Sequence, residues 1–166
     1  MPASRQDLFA LFDQNGIHTK SQQHEPVFTV EEARKVHGDI EGGHCKNLFC
    51  KDEKGTLWLI VALEDARIDL KAAKDRIGSK RLTFGKPELL MEILGVEPGS
   101  VTPFGLINDK DARVNVILDE AMMGHDKLNY HPLKNNETTT ISSADLQKFI
   151  RATGHNPRIV AVSDPA

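Results

Sequence analysis

Residues 45–63 read CKNLFCKDEKGTLWLIVAL, two apolar runs separated by a short polar loop that ends in glycine. The first run alternates, the loop Asp52-Glu53-Lys54-Gly55 can reverse the chain, and the second run, TLWLIVAL, is apolar on both faces. That order predicts a β-hairpin over 45–51 and 56–63 whose second arm is a central, doubly covered strand. A period of two puts Lys46, Leu48 and Cys50 on one face of the first arm and Asn47, Phe49 and Lys51 on the other. An ammonium on a core-facing position near a strand end is costly, so Lys46 either snorkels to the strand edge or meets an anion or carbonyl in a cleft.

The segments on either side alternate helix and strand signals. Ser4 with Asp7 caps an apolar-periodic stretch that stops at Asn15-Gly16, which predicts a helix over about 5–14. Thr29 with Glu32 repeats the pattern before a stop at Gly38, predicting a second short helix ahead of the glycine turn. DLKAAKDRIG and KPELLMEILG read as helices closed by glycine, and SADLQKFIRATG as a capped helix closed by Gly154. RVNVILDEAM, KLNYHPL, TTTIS and RIVAVS are strand candidates. The expected fold is a single α/β domain of the α+β type over 1–166: a mixed, mostly antiparallel, barrel-like sheet surrounded by helices.

Bulk properties narrow the function classes. A chain of 166 residues, 39% hydrophobic and 27% charged, can bury one core without staples. A net charge of −3 argues against a broad basic surface, so any nucleic-acid contact has to be focal. The segment 71–86 supplies one candidate, with Lys71, Lys74, Arg76, Lys80, Arg81 and Lys86 against Asp75; it is either a solvated helix face or a contact for a few phosphates. Two cysteines, both on the predicted first strand, make a poor disulfide and suit a reduced, cytoplasmic protein. No signal-peptide pattern or membrane-length apolar run is present, so no membrane partner is expected.

Familiar catalytic motifs are missing: no G-x-S-x-G elbow, P-loop, G-x-G-x-x-G or H-E-x-x-H occurs. His44 with Cys45 and Cys50 is too loose a set for zinc, and neither metal nor cofactor is expected. Cys45 has no base partner in sight for a covalent thiol mechanism. Two further stretches are rich in chemistry. EPGSVTPFG, residues 97–105, combines glycines, which let a ligand approach backbone N–H groups, with prolines, which fix a loop without adding donors; it can equally be an ordinary connection. NYHPLKNNETTT, residues 129–140, holds His131 extended ahead of Pro132 and offers many neutral hydrogen-bonding groups, which suits either a sugar-like ligand or a solvated turn.

Taken in order, GGHCKNLFCKD, GSVTP with FG after it, and YHPLKNNETTTIS leading into DLQKFIRATGH resemble the bacterial prolyl-tRNA editing deacylases. This family is related to the YbaK proteins and to the editing domain inserted in bacterial prolyl-tRNA synthetases. The resemblance covers about residues 5–163. It implies hydrolysis, in trans, of tRNA mischarged by prolyl-tRNA synthetase, with the acceptor end of the aminoacyl-tRNA and possible contact with that synthetase as partners, and no DNA. Lysine followed by asparagine, with a histidine before proline, resembles the alanine-removing branch known as ProXp-ala, which implies Ala-tRNA(Pro) as substrate. A deacylase for cysteine or serine and a non-catalytic tRNA- or synthetase-binding module of the same fold are the alternatives. Carried onto this chain, the implied catalytic positions are Lys46, Gly99, Pro103 and Gly105, and the substrate-binding positions are Asn47, His131, Asn136, Val30 and Arg34. Editing has a physical motive: a pocket built for proline cannot strongly reject the smaller alanine, because a missing methylene is worth only about 1–3 kcal/mol.

Overall fold

The hairpin forms the centre of the molecule. In the computed structural model, which describes residues 2–23, 42–134 and 136–163, strand β2 (Gly43–Asp52) pairs antiparallel with β3 (Leu57–Leu63), running from Cys45 opposite Leu63 to Lys51 opposite Leu57. Asp52 builds the turn. Its Oδ1 accepts from the backbone N–H groups of Lys54 and Thr56 at 2.9 and 3.0 Å, and its Oδ2 from the indole Nε1–H of Trp58 at 3.2 Å and from Lys80 N–H at 3.4 Å. Burial raises the Asp52 pKa, yet these four donors outweigh it and hold the carboxyl below its ordinary value.

The helices begin where local capping chemistry places them. Helix α1 (Arg5–Gln14) opens with a full capping box between Ser4 and Asp7. Helix α2 (Leu70–Ile77) starts at Asp69, whose carboxylate accepts from Lys71 N–H, and ends at a left-handed Gly78. Helix α3 (Pro87–Leu94) has proline in its first turn and ends at a left-handed Gly95. Helix α4 (Ser143–Ala152) is capped by Ser142. The predicted helix after Thr29 falls outside the described residues.

The strands β1 (Thr19–Gln23), β4 (Leu82–Phe84), β5 (Val114–Asp119), β6 (Lys127–Tyr130), β7 (Glu137–Ser142) and β8 (Arg158–Val160) join the hairpin in one eight-stranded sheet, ordered β1-β7-β6-β2-β3-β5-β8 with β4 added on β2. Pairing is mostly antiparallel: β1 with β7, β7 with β6, β2 with β3 and β2 with β4 run antiparallel, while β2 with β6, β3 with β5 and β5 with β8 run parallel. Strand β2 joins the two halves, meeting β6 only at Gly43 and His44 and meeting β4 only over Cys50–Asp52. RVNVILDEAM and RIVAVS yield shorter strands than their sequences suggest: β5 stops at Asp119 and β8 at Val160.

Alternation along β2 divides the interior in two. Phe49 belongs to a large core with Leu59, Val61, Leu94, Phe104, Tyr130 and Phe149, and Cys45 packs against it. Cys50 belongs to a smaller core with Trp58, Ile60, Ala73, Ile77 and Ile117, against which Leu48 packs. The strand is therefore a wall between two cores, and consecutive residues report to opposite sides of it. β3 is apolar on both faces for the same reason: Leu59 and Val61 face one core and Ile60 the other.

Candidate functional site

The start of β2 is fixed from β6. Gly42 has φ +101°, and a Cβ there would lie 3.0 Å from both the Asn129 side-chain nitrogen and the Lys127 carbonyl, so glycine is needed. Asn129, almost fully buried, donates through Nδ2 to Gly43 O at 3.3 Å and accepts from Thr140 Oγ1, tying the turn to both β6 and β7. Lys46 and Asn47 leave this anchored corner in opposite directions.

Lys46 is half-buried on the Leu48 face, and its ammonium donates to the backbone carbonyl of Ala66, in the segment between β3 and α2. Asn47 points the other way, donating through Nδ2 to Val101 O at 3.1 Å and so joining β2 to the 97–105 loop. Its Oδ1 is buried and has no hydrogen-bond partner among the described residues, an acceptor with unused capacity where such capacity is normally filled. Cys45, beside them, is held as a neutral thiol: burial pushes it up to about 12. Burial also raises Tyr130, next to it, well above the ordinary phenol range, and the Cys45 thiol adds to the effect. A thiolate nucleophile is thus disfavoured.

The loop divides into two parts. Gly99 is exposed, in a short 3₁₀ turn over Pro98–Ser100. Pro103 and Gly105 are buried, in a second 3₁₀ turn over Pro103–Asn108. Gly105 donates its N–H to Thr102 O at 3.1 Å, and a Cβ on it would sit 3.0 Å from both Cβ and O of Leu94. The N–H groups of Ser100 and Phe104 are likewise bonded inside the loop, to Glu97 O and Thr102 Oγ1. Proline has no N–H to offer. The Gly105 N–H is thus used inside the loop, glycine is required at 105 by its close approach to α3, and the exposed part of the loop is the Gly99 end.

His131, half-buried, follows β6, and its Nδ1 lies 3.1 Å from Glu137 O. Leu133 adopts φ +76° and donates its N–H to His131 O at 3.0 Å. Asn136 is exposed and lines a pocket of about 360 Å³ together with Met91, Val96, Glu97, Ser100 and Leu133. That volume lies within the range of small-ligand pockets. The structure thus brings Asn47 to the loop and Asn136 to the loop's Ser100, while Lys46 faces the other side of β2. Val30 and Arg34 lie outside the described residues. Of the basic segment, Lys71, Lys80, Arg81 and Lys86 are exposed, as is the ring of Phe84 at 62%, whereas Lys74 pairs with Asp75 and Arg76 donates to Val162 O. Sequence reasoning did not single out Phe84 or the pair formed by Arg5 and Glu137; exposure and a contact spanning 132 residues leave no local signal.

Comparison with known proteins follows the same outline. A model of the aminoacyl-tRNA editing domain matches residues 24–149. The prolyl-tRNA editing protein ProX of Acetoanaerobium sticklandii is 38% identical over 155 residues, covering 92% of this chain and 93% of that protein. Prolyl-tRNA synthetase associated domain-containing protein 1 of Mus musculus is 38% identical over 149 residues, covering 87% of this chain and 88% of that protein. Among solved structures, a candidate trans-editing enzyme for prolyl tRNA synthetase superposes with a TM-score of 0.73 at 22% identity, covering 99% of both chains, a likeness of fold.

Proposed function

The chain belongs to the aminoacyl-tRNA editing domain family, and from that premise we propose that it is a hydrolase that deacylates mischarged prolyl tRNA in trans, with Ala-tRNA(Pro) as its substrate. The observation that carries the site assignment is the buried Oδ1 of Asn47, an acceptor without a partner among the described residues, beside the 97–105 loop. A hydroxyl or ammonium donor of the charged 3′ end satisfies it, and the penalty of an unpaired buried acceptor becomes selectivity for a ligand that carries that donor.

An aminoacyl ester is already activated, so a held water and a stabilised oxyanion are sufficient chemistry. Water adds to the ester carbonyl, the tetrahedral oxyanion collapses, the bond to the ribose oxygen breaks, and that oxygen leaves as the hydroxyl of the tRNA. Lys46, which leaves β2 on the face opposite Asn47, engages the substrate away from the reacting centre, at the phosphate of the terminal adenosine. Its ammonium donates to a neutral carbonyl at Ala66, and a charge-assisted bond to phosphate is the stronger exchange partner. The exposed Gly99 end of the loop supplies backbone donors toward the reacting centre. His131 and Asn136 bound the amino-acid side, so that alanine enters and proline is excluded by size. The exposed cations of the 71–86 segment meet the acceptor strand, and a prolyl-tRNA synthetase that hands over the tRNA is the protein partner.

A panel of tRNA(Pro) charged with alanine, serine, cysteine or proline, compared by single-turnover rate, tests the reading. Ala-tRNA(Pro) should be hydrolysed fastest and Pro-tRNA(Pro) not at all. A faster cysteine or serine ester would replace the substrate while keeping the reaction, and binding of every tRNA with background hydrolysis would replace the reaction. Lys46→Ala should lower kcat/KM by at least about tenfold, the loss of one charge-assisted contact; full retention of Ala-tRNA(Pro) deacylation by that variant would remove Lys46 from the site.

A further inference from the structure

His131 is held by a carbonyl that is itself held from another element. A backbone oxygen can only accept, so the 3.1 Å contact with Glu137 O requires Nδ1 of His131 to carry the proton. Glu137 opens β7 and is only 5% exposed, and its carboxylate receives both Nε and Nη2 of Arg5, at 2.7 and 2.8 Å. The guanidinium is fixed in turn on α1, where it lies 4.2 Å from the centroid of the Phe9 ring. This bidentate, charge-assisted grip fixes direction as well as distance.

The loop that the grip anchors is strained. Leu133 sits at φ +76° without being glycine, a conformation that persists only where the surroundings over-determine it. Glu137 is one such surrounding, at the far end of the same loop. Glu137 is buried but the Arg5 side chain is half exposed, so solvent screens the pair and its clearer effect is on geometry rather than on stability.

We propose that Arg5 and Glu137 are positioning residues for His131: by anchoring the carbonyl that holds the imidazole in its Nδ1–H form, they make amino-acid selectivity depend on the first turn of α1. The proposal rests on the reading of His131 as a wall of the amino-acid subsite. It extends that reading to two residues that act through His131 and have no contact with substrate of their own.

The test is a double-mutant cycle in the full chain. Arg5→Ala, Glu137→Gln, His131→Ala and the Arg5→Ala/His131→Ala double variant are compared for single-turnover hydrolysis of Ala-, Ser- and Pro-tRNA(Pro), with Arg5→Lys as the conservative control. Expected is a drop of roughly 3–10-fold in the alanine-over-serine rate ratio for Arg5→Ala, partial rescue in Arg5→Lys, and no further drop when Arg5→Ala is added to His131→Ala. An equal drop in both backgrounds, or an unchanged ratio in Arg5→Ala, would overturn the proposal. An independent readout is the imidazole nitrogen spectrum: the slowly exchanging Nδ1–H signal of His131 should be present in the unaltered chain and lost or shifted in Arg5→Ala. If Arg5→Ala fails to fold, Glu137→Gln, which keeps the backbone carbonyl and one neutral bond, is read in the same cycle and spectrum. If the unaltered chain does not hydrolyse any of these esters, the functional reading fails on its own, and the spectrum decides the positioning role: an Nδ1–H signal that does not respond to Arg5 overturns it.

Discussion

Replacing Asp52 tests the hairpin that carries the site. In Asp52→Ala four donors lose their acceptor: the N–H groups of Lys54, Thr56 and Lys80 and the indole Nε1–H of Trp58. The three backbone groups lie near the surface and can turn to water, at roughly 0.5 kcal/mol each, whereas the indole of Trp58 is buried and its orphaned N–H costs about 1–3 kcal/mol. The sum is roughly 2.5–4.5 kcal/mol, or about 5–15 °C in Tm for a domain of this size. Asp52→Asn is the sharper probe. Its amide keeps one acceptor for Lys54 and Thr56 but turns an NH₂ toward Trp58 and Lys80, two donors facing donors, so it should recover less than half of the loss. Trp58 is the only tryptophan in the chain, and its emission reports the local change during urea unfolding. The acid limb supplies a sign test. Because the folded carboxyl lies below its unfolded value, its contribution is fully present above an unfolded pKa of about 4 and disappears as pH falls through the folded value. The stability gap between the native chain and Asp52→Ala should therefore close below about pH 4. Unfolding midpoints within roughly 0.5 kcal/mol of each other at pH 7, with an unshifted Trp58 emission, would refute this account of the turn.

Other expectations follow from single contacts. Gly105→Ala places a Cβ 3.0 Å from the buried Cβ and carbonyl of Leu94, and should destabilise by about 1–3 kcal/mol in urea without altering which ester is preferred. His155→Ala removes the buried partner of Asp109, with Nε2 to Oδ2 at 2.8 Å and side-chain exposures of 1% and 2%; a loss of about 1–3 kcal/mol is expected from the lost buried hydrogen bond, read by calorimetry. Cys50 is buried and Cys45 half-buried, and burial pushes both thiols up to about 12; both should react slowly with an aromatic disulfide reagent at pH 8 in the folded chain and readily in urea, and rapid labelling of both in the folded protein would contradict these raised values.

Where the fold was legible in sequence, the cause is local. Ser4 with Asp7, Asp69 and Ser142 cap their helices with bonds that span two or three residues, and the polar loop ending at Gly55 connects strands that pair in register at once. Strand β1 was not anticipated because TKSQQ has no apolar alternation; it is an edge strand, mostly exposed, paired with β7 more than a hundred residues away. Strand β4, three residues long, is too short for any period. At the site, the opposite faces of Lys46 and Asn47 follow from pleat geometry alone. The acceptor of Lys46 at Ala66, the packing of Gly105 on Leu94 and the Arg5–Glu137 pair do not, because each depends on which segments meet in space.

The two-sided character of β2 has a consequence for genetics. Lys46 and Asn47 are adjacent codons, yet they lie on opposite faces of a strand whose two sides border different cores, one containing Ala73 and Ile117, the other Phe104 and Phe149. Second-site suppressors selected against a partial defect at position 46 should therefore cluster around α2 and β5, and those selected against a defect at position 47 around the 97–105 loop and α4. Two neighbouring lesions would map to two separate neighbourhoods of the same small protein.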